Sequence, residues 1–270
     1  MRSLSLLLIV LLALCSCQFI SSPEYEVHQF PEDKSKVWIF IMAGQSNMAG
    51  RDKVKTIDTA TDYRIYCVDK WNKIQLAKEP LHKYEPGTAG YDCGISFAKE
   101  IIHYNNDSIK IILIPAAVGG SSIDQWLADS VHRNISLFSN LLEKLDVASK
   151  FGVLKGMIWL QGEEDAMNNK SAGYEQKLLL FFKQIREATE SPDLAIVSGK
   201  LPIFKKGYHW EQISSAIENT KTLLDKYSVI DNHGLTHLGD SLHYDSESQK
   251  IIGQRFAREM IALINLQSRK

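Results

Sequence analysis

The chain has 270 residues, 44% hydrophobic and 23% charged, with 31 basic against 32 acidic side chains and a formal net charge of −1. That length and composition fit one large globular domain able to bury a core without a disulfide or metal staple, and they exclude a disordered or collagen-like chain. The balanced charge supplies no overall field for a polyanion, so nucleic acid is not expected as a partner.

Residues 1–17 stand apart from the rest. Arg2 precedes an apolar run from Leu4 to Leu14 broken only by Ser5. The run is shorter than the about 20 apolar residues that span a bilayer, and it reads as an export signal. It ends in Leu14-Cys15-Ser16-Cys17 and resembles a bacterial lipoprotein signal, in which Cys17, following the small Ser16, is the lipidated residue. The protein is therefore expected in the periplasm or as an outer-membrane lipoprotein, or else simply secreted, with membrane contact only through that anchor. Gln18 to Lys36 is polar and reads as a tether, so the body is expected to span 37–270 as one domain. Only Cys67 and Cys93 remain in that body; an export compartment permits a disulfide, and two free thiols are the alternative.

The body opens with Val37 to Ala43, a continuous apolar run stopped by Gly44, which reads as a strand buried on both faces. Tyr63 to Val68 is a weaker strand, with Lys73 to Leu76 a candidate hairpin partner. Gly94 to His103 has helical spacing. Lys110 to Pro115 is a second buried strand and leads into Gly119-Gly120; Ile135 to Lys150 is helical. A third strand, Gly156 to Leu160, leads into Gln161-Gly162. Ala172 to Thr189 is helical, Leu194 to Gly199 is a fourth buried strand, and Trp210 to Lys226 is helical. Ser246 to Leu266 closes the chain as a helix with Ile251, Ile252, Phe256, Met260 and Ile264 on its inner face. Strands alternating with helices predict an α/β three-layer α/β/α sandwich with a mainly parallel five-stranded sheet. In such sheets ligands bind beyond the carboxyl ends of the strands, which selects Gly44 to Gly50, Gly119 to Trp126 and Gln161 to Ala166, together with Asn232 to Asp245 before the last helix.

Ser46 follows a buried strand beside a glycine, where a sharp strand-to-helix turn exposes a hydroxyl; the same position also suits a helix cap. A serine needs a base to become a nucleophile. Asp240 and His243 lie three apart, a spacing that lets the carboxylate hold one imidazole nitrogen while the other acts as base. His233 and His237 lack an acid three residues upstream. Gly119 and Gly120 either bring backbone N–H groups near a substrate or form a structural turn, and the Gln161 amide can donate to an oxyanion. Glu163 and Asp165 are expected to brace the loops, and Trp126 to stack on a substrate ring. No cofactor is expected, and no cluster has metal-ligand spacing.

These segments, Gly44-Gln45-Ser46-Asn47-Met48, Gly119-Gly120-Ser121-Ser122-Ile123 with Trp126, Gln161-Gly162-Glu163-Glu164-Asp165 and Asp240-Ser241-Leu242-His243, resemble in order the four blocks of the SGNH hydrolases, above all the sialate O-acetylesterase-like branch of carbohydrate acetylesterases. The resemblance implies a flavodoxin-like SGNH fold and removal of acetyl groups from sugar hydroxyls, with an acetylated carbohydrate as partner. It implies Ser46 as nucleophile, His243 as base and Asp240 as its orienting acid. The Ser46 N–H, a Gly119 or Gly120 N–H and the Gln161 side chain would form the oxyanion hole, with Gln45, Asn47 and Trp126 binding substrate. The wider family has Asn in its third block where this chain has none, and Gln161 is the substitute. The Gly239-Asp240-Ser241-Leu242 string spells a signature whose Ser is elsewhere the nucleophile; here it lies just before His243, and Ser241 is a bystander. The alternatives are an inactive glycan-binding surface lipoprotein and a serine esterase for other small esters. Arg51, Lys53 and Arg133 are candidate contacts for a sugar carboxylate.

Overall fold

In the computed structural model, residues 30–105 and 108–265 are described; the expected export signal, Cys17 and most of the tether lie outside them. In chain order the elements are β1 (Val37–Gly44), α1 (Ser46–Ala49), β2 (Ile65–Val68), β3 (Ile74–Leu76), α2 (Gly94–Tyr104), β4 (Lys110–Pro115), α3 (Ile123–Leu127), β5 (Val131–His132), β6 (Ile135–Ser136), α4 (Leu137–Ser149), β7 (Val153–Leu160), α5 (Glu163–Met167), α6 (Tyr174–Ala188), β8 (Ala195–Gly199), α7 (Trp210–Asn219), β9 (Tyr227–Ile230) and α8 (Ser246–Asn265).

β1 organises the molecule because both of its faces are buried. Val37, Ile39, Ile41 and Ala43 point to one side, where they meet Trp126, Leu141, Phe181 and Ile213 of α3, α4, α6 and α7. Phe40 and Met42 point to the other, against Phe97, Ile101, Phe256 and Met260 of α2 and α8. A strand alternates side chains between faces, so an unbroken apolar run demands helices on both sides of the sheet, and the expected three-layer sandwich results.

The sheet order is β3-β2-β4-β1-β7-β8-β9. It has seven strands where five were expected. The added strands are β3, which pairs antiparallel with β2 as the candidate hairpin partner, and β9, which pairs parallel with β8. β9 presents no continuous apolar run, because it is four residues long and is interrupted by Ser228. The helix before it ends at Asn219, earlier than its pattern suggested, and is followed by the short 3-10 turn Thr220–Thr222. On α8, Ile251 faces solvent while Ile252, Phe256 and Met260 pack inward. Cys67 and Cys93 are both buried and free.

Contacts with the body begin before Val37. The Phe30 ring lies 4.8 Å from the Tyr66 ring and 5.0 Å from that of Phe151, and the Trp38 indole N–H donates to the Ser35 carbonyl at 3.0 Å. Phe30 thus packs on the body, while residues 32–36 of the polar tether are exposed.

β4, β1 and β7 are adjacent, so the loops that leave their carboxyl ends are adjacent too. The close approach depends on Gly44. Its φ is +137°, and a Cβ there would sit 2.1 Å from the Leu160 carbonyl oxygen at the end of β7. Gly44→Ala is expected to combine backbone strain with a backbone clash and to lower stability by about 3 kcal/mol or more; urea unfolding of the purified variant measures it.

Candidate active site

At the end of β1 the chain turns sharply. The Gln45 carbonyl accepts the N–H groups of Met48 (3.0 Å) and Ala49 (2.9 Å), which places Ser46 at the start of the one-turn α1. Ser46 Oγ lies 3.0 Å from His243 Nε2, and His243 Nδ1 lies 2.6 Å from Asp240 Oδ2. The three-residue spacing works because Asp240 Oδ1 also accepts the N–H groups of Leu242 and His243, each at 2.9 Å, closing a turn around its own carboxylate. Burial alone would raise the Asp240 carboxyl, but those two N–H groups and the imidazole outweigh it and hold it below the usual carboxylate range. In the same loop His237 Nδ1 accepts the N–H groups of Gly239 and Ser241 at 3.0 and 3.1 Å, so its ring braces the turn.

Several side chains expected to face substrate face the protein instead. Asn47 is 1% exposed. Its amide nitrogen donates to Glu163 Oε1 at 2.6 Å and to the Leu242 carbonyl at 3.2 Å, and its Oδ1 accepts the Tyr244 N–H at 3.0 Å. It joins the Ser46 turn to the His243 loop. Gln45 is as buried, and its Oε1 accepts the N–H groups of Gly162 (3.3 Å) and Glu164 (3.2 Å) together with the Gln161 amide (3.2 Å). Neither is placed to bind a ligand. Trp126 is fully buried, donates to Ser121 Oγ at 2.9 Å and packs edge-on against Trp159, so it is core and not a sugar platform.

Gln161 is also fully buried. Its two amide hydrogens are surrounded by Ser121 O at 2.9 Å, Asp165 Oδ2 at 2.5 Å and Gln45 Oε1 at 3.2 Å, while its Oε1 accepts the Tyr174 hydroxyl at 2.8 Å. With every donor engaged internally it is not available to an oxyanion. Gly119 is excluded in the same way, because its N–H is accepted by Glu85 at 2.8 Å. The Ser46 and Gly120 N–H groups remain as candidates. Glu163 and Asp165 do accept loop hydrogen bonds, from Asn47 and from Gln161 with the Ile123 N–H.

Beside Gly119 lies a charged group that no spacing in the sequence announces. Glu85, buried, takes Arg51 Nη2 at 2.7 Å on one oxygen and Arg133 Nη1 at 2.8 Å on the other. Arg51 is largely covered, whereas the Arg133 side chain is 51% exposed. His132 Nε2 reaches the Gly119 carbonyl at 2.9 Å. Glu85, on a loop, and His132, on the short strand β5, lie outside the four motif blocks, where an isolated Glu or His carries no pattern. Lys53 is exposed and takes no part in this group.

A family model described as carbohydrate esterase, sialic acid-specific acetylesterase, matches residues 36–262. The chain belongs to that family. A probable carbohydrate esterase of Arabidopsis thaliana is 28% identical over 243 residues, 83% of this chain and 90% of that protein. The crystal structure of an Arabidopsis thaliana protein superposes with a TM-score of 0.74 at 26% identity, over 84% of this chain and 98% of that one. The crystal structure of NanS shares the fold, with a TM-score of 0.71 at 18% identity over 88% and 99% of the two chains. The seven-stranded sheet is therefore that of a carbohydrate esterase, and the four polar loops sit at its carboxyl edge.

In this esterase the buried carboxylates carry a pH signature. Burial pushes Asp165 up to about 6, and the Gln161 amide and Ile123 N–H pull it only partly back. Burial likewise raises Glu163. A carboxyl raised in the folded state stabilises the fold below its unfolded value near 4 and loses that contribution as pH rises through about 6. Asp165→Asn keeps the acceptor without the charge. Its stability relative to the native chain is expected to rise by about 2–3 kcal/mol between pH 4 and pH 7.5, as read from urea unfolding at the two pH values; a constant difference would remove Asp165 from this role.

Proposed function

We propose that this carbohydrate esterase is a serine O-acetylesterase that removes acetyl groups from sugar hydroxyls by way of an acetyl-enzyme. The observation that carries the reading is the continuous hydrogen-bonded chain from Ser46 Oγ through His243 to Asp240, 3.0 and 2.6 Å long at its two links. His243 takes the Ser46 proton as the oxygen attacks the acetyl carbonyl. The Ser46 and Gly120 N–H groups hold the tetrahedral oxyanion. His243 then returns the proton to the departing sugar oxygen, and water, activated by the same imidazole, hydrolyses the acetyl-enzyme. Asp240, kept ionised by its hydrogen bonds, stabilises the imidazolium that forms between these steps.

Of the two sugar classes that the sequence leaves open, a sialate and an acetylated xylan, the exposed guanidinium of Arg133 favours the sialate. Its Nη2 lies 3.8 Å from where a Cβ of Gly120 would stand, so its charge sits beside the loop that carries the proposed oxyanion donor and can meet a sugar carboxylate. An inactive glycan-binding lipoprotein is disfavoured by a hydrogen-bonded triad geometry that binding alone does not require.

Ser46→Ala is expected to abolish hydrolysis of 4-nitrophenyl acetate and labelling by a fluorophosphonate, while Ser241→Ala keeps both; hydrolysis retained by Ser46→Ala would sink the reading. On a panel of glycans, acetate release is expected to be faster from O-acetylated sialic acid than from acetylated xylan, and Arg133→Gln to raise KM for the former only.

Export with lipid attachment at Cys17 is part of the same proposal, supported by the Leu14-Cys15-Ser16-Cys17 string. Expressed in a bacterium, the chain is expected to incorporate radiolabelled palmitate, and Cys17→Ser to lose the label. Label retained by Cys17→Ser would place the lipid elsewhere.

A further inference from the structure

The peptide that joins Gly119 to Gly120 is held in an unusual way. Glu85 accepts the Gly119 N–H of the preceding peptide, and His132 Nε2 meets the Gly119 carbonyl of this one at 2.9 Å. The other ring nitrogen, Nδ1, lies 3.3 Å from Gln125 Nε2, and Gln125 Oε1 accepts the Ser122 N–H at 2.9 Å. The Ser122 bond orients the Gln125 amide, so its nitrogen donates to Nδ1. The imidazole must then carry its proton on Nε2 and donate it to Gly119. The roles of every atom from Ser122 to Gly119 follow from that one orientation.

The hairpin that carries His132 is short. β5 and β6 are joined by Arg133 and Asn134, both with positive φ (+49° and +63°), the conformation of a tight two-residue turn whose twist suits paired strands. The ring is therefore delivered to Gly119 from a strand next to a tight turn.

A peptide group is planar and trans, so the Gly119 carbonyl and the Gly120 N–H point in opposite directions in one plane. Whatever fixes the carbonyl also aims that N–H. Among the described residues nothing accepts the Gly120 N–H, and Gly120 takes φ +72°, which a glycine adopts without strain. The loop is tied to the nucleophile's strand, since the Val118 N–H and Ser121 Oγ both donate to the Gly44 carbonyl at 3.2 Å.

We propose that His132 is a positioning residue for acyl transfer: by donating to the Gly119 carbonyl it aims the Gly120 N–H at the oxyanion formed on the Ser46 ester. The bond also polarises the peptide and strengthens its N–H as a donor. This inference rests on the serine-esterase reading and adds to it a residue that touches neither substrate nor triad. The interaction matters most when negative charge develops, so its loss acts on kcat and leaves ground-state binding unchanged.

The test uses His132→Phe, which keeps a ring but has no N–H, and His132→Gln, which restores an N–H at similar reach. With 4-nitrophenyl acetate, His132→Phe is expected to lower kcat by about 10- to 100-fold, less than or equal to the loss of a whole oxyanion donor, with KM within twofold and the melting temperature unchanged. Fluorophosphonate labelling of Ser46 is expected to slow in parallel, and His132→Gln to recover most of the rate. A His132→Phe enzyme within twofold of the native kcat overturns the proposal, as does equal impairment of the Phe and Gln variants. Should the Phe variant not fold, His132→Ala is judged by the same criteria. Ser46→Ala separates the two levels: if it retains activity, the serine reading has failed, whereas an inactive Ser46→Ala beside a fully active His132→Phe refutes this inference alone.

Discussion

One buried amide holds the site together. Asn47 follows the proposed nucleophile, and its side chain ties three loops at once: it donates to Glu163 after β7 and to the Leu242 carbonyl, and it accepts from the Tyr244 N–H on either side of His243. Its own carbonyl accepts the Gln249 amide of α8 at 2.8 Å. Ser46 and His243 are 197 positions apart in the chain, and a single hydrogen bond between hydroxyl and imidazole is too weak by itself to register loops from opposite ends of a sequence. Buried polar bonds, each costly to leave unmade, give that register its rigidity.

The sheet makes this economical. β4, β1 and β7 lie side by side, so their loops start as neighbours, and only the segment after β9, at the sheet edge, has to travel back across the carboxyl ends. Tyr244, buried, anchors the end of that return. The glutamines on the first and third loops face one another and satisfy the backbone of the turns between them: Gln45 accepts from Gly162 and Glu164, while Gln161 donates to the Ser121 carbonyl. The result is a layer of buried amides and carboxylates beneath the reacting groups. Its cost is electrostatic, as the raised carboxyls of Glu163 and Asp165 record.

Above that layer the site is built from backbone as much as from side chains. The proposed oxyanion donors are both N–H groups, and the neighbouring charges serve to arrange them. Glu85 holds Arg51 and the Gly119 N–H together. A side chain on Gly119 would meet Arg51 Nη2 at 2.1 Å and the Glu85 carboxylate at 2.7 Å, so the glycine leaves room for the ion pair. Arg133 is the member of this group that solvent reaches, and it brings a positive charge to the edge of the mouth without a global charge imbalance.

Apolar runs and their spacing were enough to determine the layered α/β architecture, because a strand buried on both faces and a helix with one apolar stripe each dictate what must cover them. The order of the four polar blocks was enough to determine the family and to name Ser46, Asp240 and His243 as a set, since the Asp-x-x-His spacing closes a local turn. Tertiary structure decided what local pattern does not encode. It turned Gln45, Asn47, Gln161 and Trp126 inward, brought Glu85 and His132 from segments without a motif to Gly119, and added β9 at the edge. The direction of a loop side chain depends on which distant backbone groups need a partner, and those groups meet only when the sheet has assembled.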